Sequence, residues 1–148
     1  MLNTVGRKIQ EEKQHEDISD LAGKKILLVD DIDVNREIAT AILEMSGFAV
    51  ETAINGEDAV LKLKSKGGGY YDVVLMDVQM PVMNGYEATA AIRQFENKKL
   101  AAIPILAMTA NAFDEDRKAA FSAGMNGHIA KPIDVSKLME ELKKVLRN

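Results

Sequence analysis

The sequence predicts an α/β protein with a doubly wound, five-stranded parallel sheet and five helices on its two faces. From Lys24 onward, short apolar runs alternate with longer segments of helical periodicity, which is typical of strands and helices that follow one another along the chain. Most of these runs are unbroken, as expected for strands covered on both faces. Right-handed crossovers around a central first strand then give the strand order 2-1-3-4-5.

The composition narrows the class of protein. The chain has 148 residues, a formal net charge of −4 and no cysteine. This length suits one domain, the acidic balance argues against a nucleic-acid surface, and the lack of thiols excludes disulfides and thiolate metal sites. No apolar run approaches the ~20 residues of a membrane-spanning helix, and the N-terminus is too polar for a secretory signal. We therefore expect a cytoplasmic domain with no nucleic-acid or membrane contact.

Residues 1–23 are predicted to be a polar lead-in or linker, and the domain is predicted at 24–147. Residues 10–20 are almost wholly charged or polar, a composition typical of mobile segments. A helical zinc motif would need a second histidine four residues after His15, where Ser19 stands. A phosphoaccepting histidine at this position would need a dimerising helix and an ATP-binding domain behind it, and neither is recognisable in the chain.

The first half of the domain contains two strands and two helices before the central strand. After the first strand at 26–29, Asp33 is predicted to cap the first helix. Residues 48–52 alternate apolar and polar, as an edge strand would, and Asn55 with Asp58 resembles a capping pair for the second helix. The inward residues are predicted to be Val34, Ile38, Ala41, Ile42 and Met45 in the first helix, and Ala59, Val60 and Leu63 in the second.

The second half continues the alternation from the central strand at 73–76. The third helix begins at Asn84, the fourth covers 111–124, and Asp134 caps the fifth. The fourth helix is thinly apolar, so we expect it to be held weakly by the core. The inward residues are predicted to be Ala88, Ala91, Ile92 and Phe95 in the third helix, and Val135, Leu138, Met139, Leu142, Val145 and Leu146 in the fifth.

Polar groups follow four of the five predicted strands. In chain order they are Asp30 with Asp31, Asp77, Thr109 and Lys131. The carboxyl ends of parallel strands meet at one edge of a sheet, and the switch point of this strand order lies between strands one and three, so these groups are expected to converge. Taken singly, each could be a helix cap or an ordinary surface residue. Their recurrence after successive strands favours a shared site.

Three carboxylates at one edge of the sheet would repel one another. At a separation of ~4 Å, a like-charged pair costs roughly 1 kcal/mol in water-like surroundings, so a cation is expected to offset them. Oxygen ligands without a thiolate or a histidine pair favour Mg²⁺. Lys131 adds a fixed positive charge and Thr109 a hydroxyl donor. Such a set is suited to stabilising a phosphoryl group during its transfer to a carboxylate.

The ordered motifs resemble those of response-regulator receiver domains, which have a flavodoxin-like fold and act in two-component signalling. The matching motifs are Asp30-Asp31, Asp77 with Met80-Pro81 and Gly85, Thr109-Ala110, and Lys131-Pro132. The resemblance covers about residues 24–147. The stretches MPVMNGYEA, MTANAF and GMNGHIAKPI are most similar to receivers attached to hybrid sensor histidine kinases.

The resemblance implies a role for each matching residue. Asp77 would be the phosphoacceptor, which attacks a phosphohistidine of a histidine kinase or a histidine-phosphotransfer protein. Lys131 would pair with the phosphoryl oxygens, Thr109 would move to hydrogen-bond them, and the bond before Pro132 would be cis. The implied ligands of Mg²⁺, for which Mn²⁺ could substitute, are Asp30, Asp31, Asp77 and the backbone carbonyl of Gln79.

His128 departs from the family pattern, because the switch aromatic three residues before the lysine is most often tyrosine or phenylalanine. Imidazole is smaller and can titrate near neutrality. Two interpretations stay open: a switch residue that moves with Thr109, or a half-buried histidine that fills space. The resemblance also implies that phosphorylation shifts a pre-existing equilibrium. A downstream partner is expected on the face formed by the fourth helix, fifth strand and fifth helix.

Rival functions make different demands on the sequence. A Mg²⁺-dependent phosphatase with Asp77 as nucleophile would want a second aspartate two residues on, where Gln79 stands. A flavodoxin-like cofactor binder would want a glycine- or hydroxyl-rich phosphate loop where residues 30–33 carry three acids. A degenerate receiver that only docks a partner would not need the complete acceptor set. We therefore expect a signalling module and not a stand-alone turnover enzyme, although it would catalyse its own phosphorylation and dephosphorylation.

Overall fold

In the computed structural model, which describes residues 21–110 and 114–146, five strands form one sheet. They are β1 (Lys25–Val29), β2 (Ala49–Ala53), β3 (Val73–Asp77), β4 (Ile105–Thr109) and β5 (Gly127–Ala130). The strand order is β2-β1-β3-β4-β5, and each pairing is parallel. The predicted sheet and its order are confirmed, including the position of the second strand at an edge.

Six helices lie within the described ranges, one more than the five predicted. They are α1 (Asp33–Met45), α2 (Gly56–Lys66), α3 (Gly85–Arg93), α4 (Lys98–Ala101), α5 (Asp114–Ala123) and α6 (Val135–Leu146). The additional helix, α4, is one turn that begins where the Asn97 side chain accepts a hydrogen bond from the backbone N–H of Leu100. A single turn is too short to show helical periodicity in a sequence. The fourth and fifth predicted helices are therefore α5 and α6, and the predicted residues 111–113 lie outside the described residues.

The sheet is covered by two separate apolar clusters, one on each face. Because side chains alternate along a strand, Leu27 and Met76 belong to the cluster beneath α2 to α5, whereas Leu28 and Leu75 belong to the cluster beneath α1 and α6. These four side chains have no exposed surface. The buried strands form a rigid base for the residues that follow them at the carboxyl edge of the sheet.

The start of α1 differs from the prediction, because Asp33 does not cap it. The N-cap residue is Ile32, which makes no side-chain capping hydrogen bond, and Asp33 is the first residue of the helix. The carboxylate of Asp30 accepts the backbone N–H of Ile32 at 3.0 Å instead. One of the predicted site residues thus also fixes the entry into α1.

The predicted inward face of α1 was also wrong. Ala39 and Leu43 are the buried side chains of this helix, whereas Val34, Ile38 and Met45 are 55%, 56% and 88% exposed. The helix carries apolar residues on both sides, so periodicity alone could not identify the face that packs on the sheet. The small side chain of Ala39, one turn before Leu43, marks the side that approaches the strands.

The predicted starts of α2, α3 and α6 agree with the structure. Asn55 accepts the backbone N–H of Asp58 at 2.8 Å at the start of α2, and Asn84 forms a capping box with Glu87 at the start of α3. Asp134 accepts the N–H of Ser136 at 2.9 Å just before α6. None of the helices in the described ranges is both long and apolar enough to cross a membrane.

A polar cluster occupies the edge of the sheet opposite the ends of β1 and β3. Tyr70 and Tyr71 both donate hydrogen bonds to the carboxylate of Glu51 on β2. The ammonium of Lys25 lies 3.4 Å from the same carboxylate and 3.9 Å from the centre of the Tyr70 ring. Burial, followed by the bond to Glu51, raises the pKa of Tyr71. This cluster ties the chain that leads into β3 to the edge strand.

Gly85 allows α3 to approach the end of β3 closely. A Cβ atom at this position would lie 2.4 Å from the carbonyl oxygen of Asp77 and 3.0 Å from the side chain of Met76. The carbonyl belongs to backbone that cannot move without displacing the end of the strand. The first turn of α3 therefore constrains the position of Asp77.

Replacing Gly85 by alanine is expected to destabilise the protein by ~1–3 kcal/mol, the usual cost of forcing extra volume into a packed region. Urea unfolding measures the effect. Gly68→Ala is the matched control, because a Cβ there would meet only the side chains of Asn97 and Lys99, at 3.2–3.3 Å, and these side chains are exposed. Equal stability of the two variants would show that the close approach at Gly85 is not a constraint.

Candidate functional site

Three carboxylates meet where β1 and β3 end. The two strands pair in register, with Val29 opposite Met76, so the next residues, Asp30 and Asp77, emerge side by side. Both are buried, with 3% and 6% of their surface exposed, and Asp31 is half-buried. One carboxylate oxygen from each of the three residues lies within 4.8 Å of the others. The structure thus brings the predicted acidic trio together.

Lys131 lies between two of these carboxylates. Its Nζ is 2.9 Å from an oxygen of Asp77 and 3.2 Å from an oxygen of Asp30. The backbone N–H of Lys131 donates to the carbonyl of Thr109 at 2.7 Å, and the following bond to Pro132 is cis, as expected. The loop after β5 therefore delivers the ammonium group to the edge of the sheet.

The charges at the site alter two pKa values. Burial raises the pKa of Asp77 above its ordinary value, and the charge of Asp30 acts in the same direction, although the ammonium of Lys131 and the N–H of Gln79 oppose them. Burial lowers the pKa of Lys131, but its hydrogen bonds and charge contacts with Asp77 and Asp30 outweigh this and raise it. The surroundings of Asp77 therefore disfavour its ionised form.

The remaining predicted residues line the same cleft, which has a volume of about 270 Å³. Thr109 ends β4 and is 7% exposed. The backbone N–H of Gln79 lies 3.4 Å from a carboxylate oxygen of Asp77. The predicted residues on the wall of this cleft are Asp31, Asp77, Gln79, Thr109 and Lys131.

Six further residues of the cleft wall do not belong to the predicted site: Ile32, Val78, Tyr86, Met108, Ala110 and Asp116. Tyr86 and Asp116 lie near the starts of α3 and α5. In a doubly wound fold, helices that follow strands begin at the carboxyl edge of the sheet. The first turns of those helices were therefore the signal that could have identified these two residues. The side-chain direction, however, depends on how each loop turns.

His128 lies outside the lining of the cleft. It is half-buried on β5, and its Nε2 accepts a hydrogen bond from Nε of Arg117 on α5 at 3.1 Å. Burial lowers the pKa of His128, and the positive charge of Arg117 adds to this, whereas Glu141 opposes it. The imidazole is a neutral link between a strand and a helix, and the contact with Arg117 was not predicted.

The donor set at the cleft fits a hard divalent cation. The ligands that the three carboxylates supply are all oxygen atoms. Asp30 and Asp77 are buried, and the carboxylate of Asp31 lies next to theirs. Mg²⁺ prefers such oxygen ligands and binds through one or two carboxylates while it keeps several waters. Asp30, Asp31 and Asp77 are therefore the residues that would hold it, and the cleft leaves room for the waters and for a phosphoryl group.

Comparison with known families identifies the domain. The family model described as response regulator receiver domain matches residues 26–143. The chain belongs to this family. The predicted membership is confirmed, and with it the assignment to two-component signalling.

The relatives of this receiver domain include hybrid histidine kinases. The hybrid signal transduction histidine kinase L of Dictyostelium discoideum is 38% identical over 143 residues, which cover 96% of this chain and 8% of that protein. The chain thus spans a small part of the curated relative that it matches. The expected likeness to receivers of hybrid kinases is confirmed.

Solved receiver domains share the fold. The receiver domain of the sensor histidine kinase PA1611 from Pseudomonas aeruginosa, with a magnesium ion coordinated in its active-site cleft, is 38% identical with a TM-score of 0.75 and covers 86% of this chain and 100% of that chain. The receiver domain of the response regulator Ssk1 of Saccharomyces cerevisiae, solved in complex with the histidine phosphotransfer protein Ypd1, is 28% identical with a TM-score of 0.75. The match covers 85% of this chain and 90% of that chain.

Asp77→Asn is expected to stabilise the receiver domain at neutral pH when divalent cations are chelated. The pKa of Asp77 lies above its ordinary value of 3.8. As the pH rises above 3.8, the unfolded chain therefore loses this proton before the native state does. At neutral pH, where Asp77 is ionised in both states, its charge lowers the free energy of unfolding. We expect a small gain, because burial and the charge of Asp30 together oppose the ionised form more strongly than Lys131 and the N–H of Gln79 favour it.

Urea unfolding in EDTA, repeated as the pH is lowered, measures this gain. The advantage of the variant is expected to shrink as the pH falls towards the ordinary carboxyl pKa of 3.8, because Asp77 then becomes protonated in the wild type as well. Asp33→Asn is the control, since this carboxylate is exposed on α1 and lies outside the acidic trio. A variant less stable than wild type at pH 7 would contradict the account of the site.

Proposed function

We propose that this receiver domain accepts a phosphoryl group on Asp77 from the phosphohistidine of a histidine kinase or a histidine-phosphotransfer protein. The observation that carries the proposal is the convergence of Asp77, Lys131 and Thr109 with two more carboxylates on one cleft of about 270 Å³. The complex of the Ssk1 receiver domain with Ypd1 supports the choice of partner.

Transfer would exchange one bond to phosphorus for another. A carboxylate oxygen of Asp77 attacks the phosphorus, the bond between phosphorus and the imidazole nitrogen of the donor breaks, and that nitrogen leaves with the electron pair. The attack requires ionised Asp77. The ammonium of Lys131, at 2.9 Å, favours this form and so opposes the effect of burial, which raises the pKa of Asp77. Positioning and charge stabilisation account for most of the catalysis in such transfers.

The other residues of the cleft would stabilise the transferred group. Lys131 would exchange its contact with the Asp77 carboxylate for a phosphoryl oxygen, and the Thr109 hydroxyl would donate to another. Mg²⁺, for which Mn²⁺ could substitute, would supply positive charge against the phosphoryl oxygens when held by Asp30, Asp31, Asp77 and the carbonyl of Gln79. The magnesium ion in the active-site cleft of the PA1611 receiver domain supports the choice of cation.

Phosphorylation would act by shifting the domain between two arrangements. The face formed by α5, β5 and α6 is the proposed surface for a downstream protein. Among the described side chains of α5, residues 116–123, Ala120 alone is buried, so few buried contacts of these side chains oppose a displacement of the helix. We further propose that the domain acts in the cytoplasm and within a longer hybrid kinase, as its likeness to hybrid kinase receivers suggests.

Incubation with acetyl phosphate and Mg²⁺ is expected to add the mass of one phosphoryl group to the wild-type chain. Asp77→Asn is expected to abolish the adduct, because the amide is not a nucleophile, and Asp33→Asn is expected to keep it. Intact mass spectrometry measures both. An adduct that persists in Asp77→Asn would place the acceptor elsewhere, and steady release of phosphate from a generic phosphomonoester would favour the phosphatase alternative.

Mg²⁺ is expected to stabilise the wild type and Asp33→Asn, and to have a much smaller effect on Asp31→Asn. Binding to the native state adds about 2.7 kcal/mol to the free energy of unfolding when the cation is at ~100 times its dissociation constant. Loss of one ligand carboxylate weakens that binding. Thermal unfolding over a series of Mg²⁺ concentrations measures the effect. Equal stabilisation of Asp31→Asn and wild type would remove Asp31 from the ligand set.

A further inference from the structure

Two polar contacts of different kinds, among the described residues, involve helix α5 and the chain that leaves it. At its end, the half-buried guanidinium of Arg93 donates to the carbonyl of Gly124 at 2.9 Å and to the side chain of Asn126 at 2.8 Å. It also donates to the carbonyls of Ala101 and Ile103, both at 2.7 Å. Several fixed acceptors hold this group, so the chain that leaves α5 is firmly anchored.

The second contact lies nearer the start of α5 and is a single bond between two side chains. Nε of Arg117 donates to Nε2 of His128 on β5 at 3.1 Å. His128 pairs with Ala107 of β4, a member of the apolar cluster beneath α2 to α5, whereas its neighbour Ile129 belongs to the cluster on the other face. The imidazole therefore points to the side of the sheet that α5 covers.

This second contact adjoins the acceptor cleft through both of its elements. Asp116, the residue before Arg117, lines the cleft. Thr109 lies two residues after Ala107 on β4 and therefore on the same face of the sheet as His128. A displacement of α5 at the cleft would move Arg117 and so change its bond to His128. A displacement of Thr109 would act on the face of the sheet that carries His128.

The side chains of α5 that the structure describes, residues 116–123, bury little apolar surface. Among the described side chains of α5, Ala120 is 2% exposed, whereas Phe121 is 62% exposed. Arg117 itself is exposed. The bond to His128 is one of the contacts that hold the first half of α5 against the sheet.

The bond requires a neutral imidazole. Nε2 can accept a hydrogen bond only while the ring proton is on Nδ1. A second proton on Nε2 would remove the acceptor and place two cations in contact. From α6, the carboxylate of Glu141 favours the charged ring, from α5 the guanidinium of Arg117 disfavours it, and the paired residue on β4 is Ala107, which does not titrate. Acid therefore weakens this contact and leaves the anchor at Arg93 intact.

We infer that Arg117 is a switch residue of this receiver domain: its hydrogen bond to His128 holds the first half of α5 against β5, and either protonation of His128 or a phosphoryl group in the cleft releases it. The release by a phosphoryl group rests on the proposed function, and the release by acid does not. Because coupling between two binding events is reciprocal, occupation of the cleft must raise the pKa of His128. A histidine that merely fills space would show neither effect.

Imidazole titration by NMR of the full chain tests the inference. The chain contains two histidines, His15 and His128, and His128→Phe assigns the signals by the loss of one. Arg117→Met is expected to raise the pKa of His128, and Lys118→Met, which removes an exposed cation from the next position on the same helix, is expected to leave it nearly unchanged. Beryllofluoride with Mg²⁺, a mimic of the phosphoryl group, is expected to raise the pKa of His128 in the wild type and to have little further effect in Arg117→Met.

The outcomes separate this inference from the proposed function. Bound beryllofluoride gives its own fluorine NMR signal, and the absence of that signal would count against the acceptor site while the comparison of Arg117→Met with Lys118→Met still tests the contact. A pKa of His128 that is unchanged in Arg117→Met would overturn the contact itself. A bound fluorine signal without a shift of His128 in the wild type would overturn the coupling to the cleft.

Discussion

The repulsion between carboxylates at the ends of β1 and β3 is the constraint on which the rest of this domain depends. Two adjacent strands in register place Asp30 and Asp77 side by side, and burial raises the pKa of Asp77. Lys131 offsets both carboxylates from a loop two strands away. The charge balance of the cleft therefore depends on β4 and β5 lying in their observed order.

The sequence was most informative about residues that directly follow an apolar strand. Asp77 and Lys131 could be predicted because each follows an apolar run, and because parallel strands of known order bring their ends to one edge. The face of α1 could not be predicted, since Val34 and Leu43 lie on different sides of a helix that is apolar on both. Asp116 and Arg117 could not be predicted either, because their directions depend on how the chain turns before α5.

The domain combines a rigid sheet with one loosely attached helix. Side chains such as Leu75 and Ile105 have no exposed surface, so the strands resist displacement and keep the acceptor group in place. Helix α5 has the opposite character, with one buried side chain among those described and separate polar contacts at its two ends. Elements with few buried apolar contacts are the ones that open at low free energy, and here such an element borders the cleft. The rigid part holds Asp77, and the loosely attached helix borders the same cleft.

The position of Tyr86 on the cleft wall gives the molecule an optical probe of its own. The chain contains no tryptophan and three tyrosines. Tyr70 and Tyr71 both donate to the Glu51 carboxylate at the opposite edge of the sheet, and phenols bonded to carboxylates lose much of their emission by proton transfer in the excited state. Tyr86 is therefore the tyrosine whose fluorescence can report on the surroundings of Asp77 in the unlabelled protein.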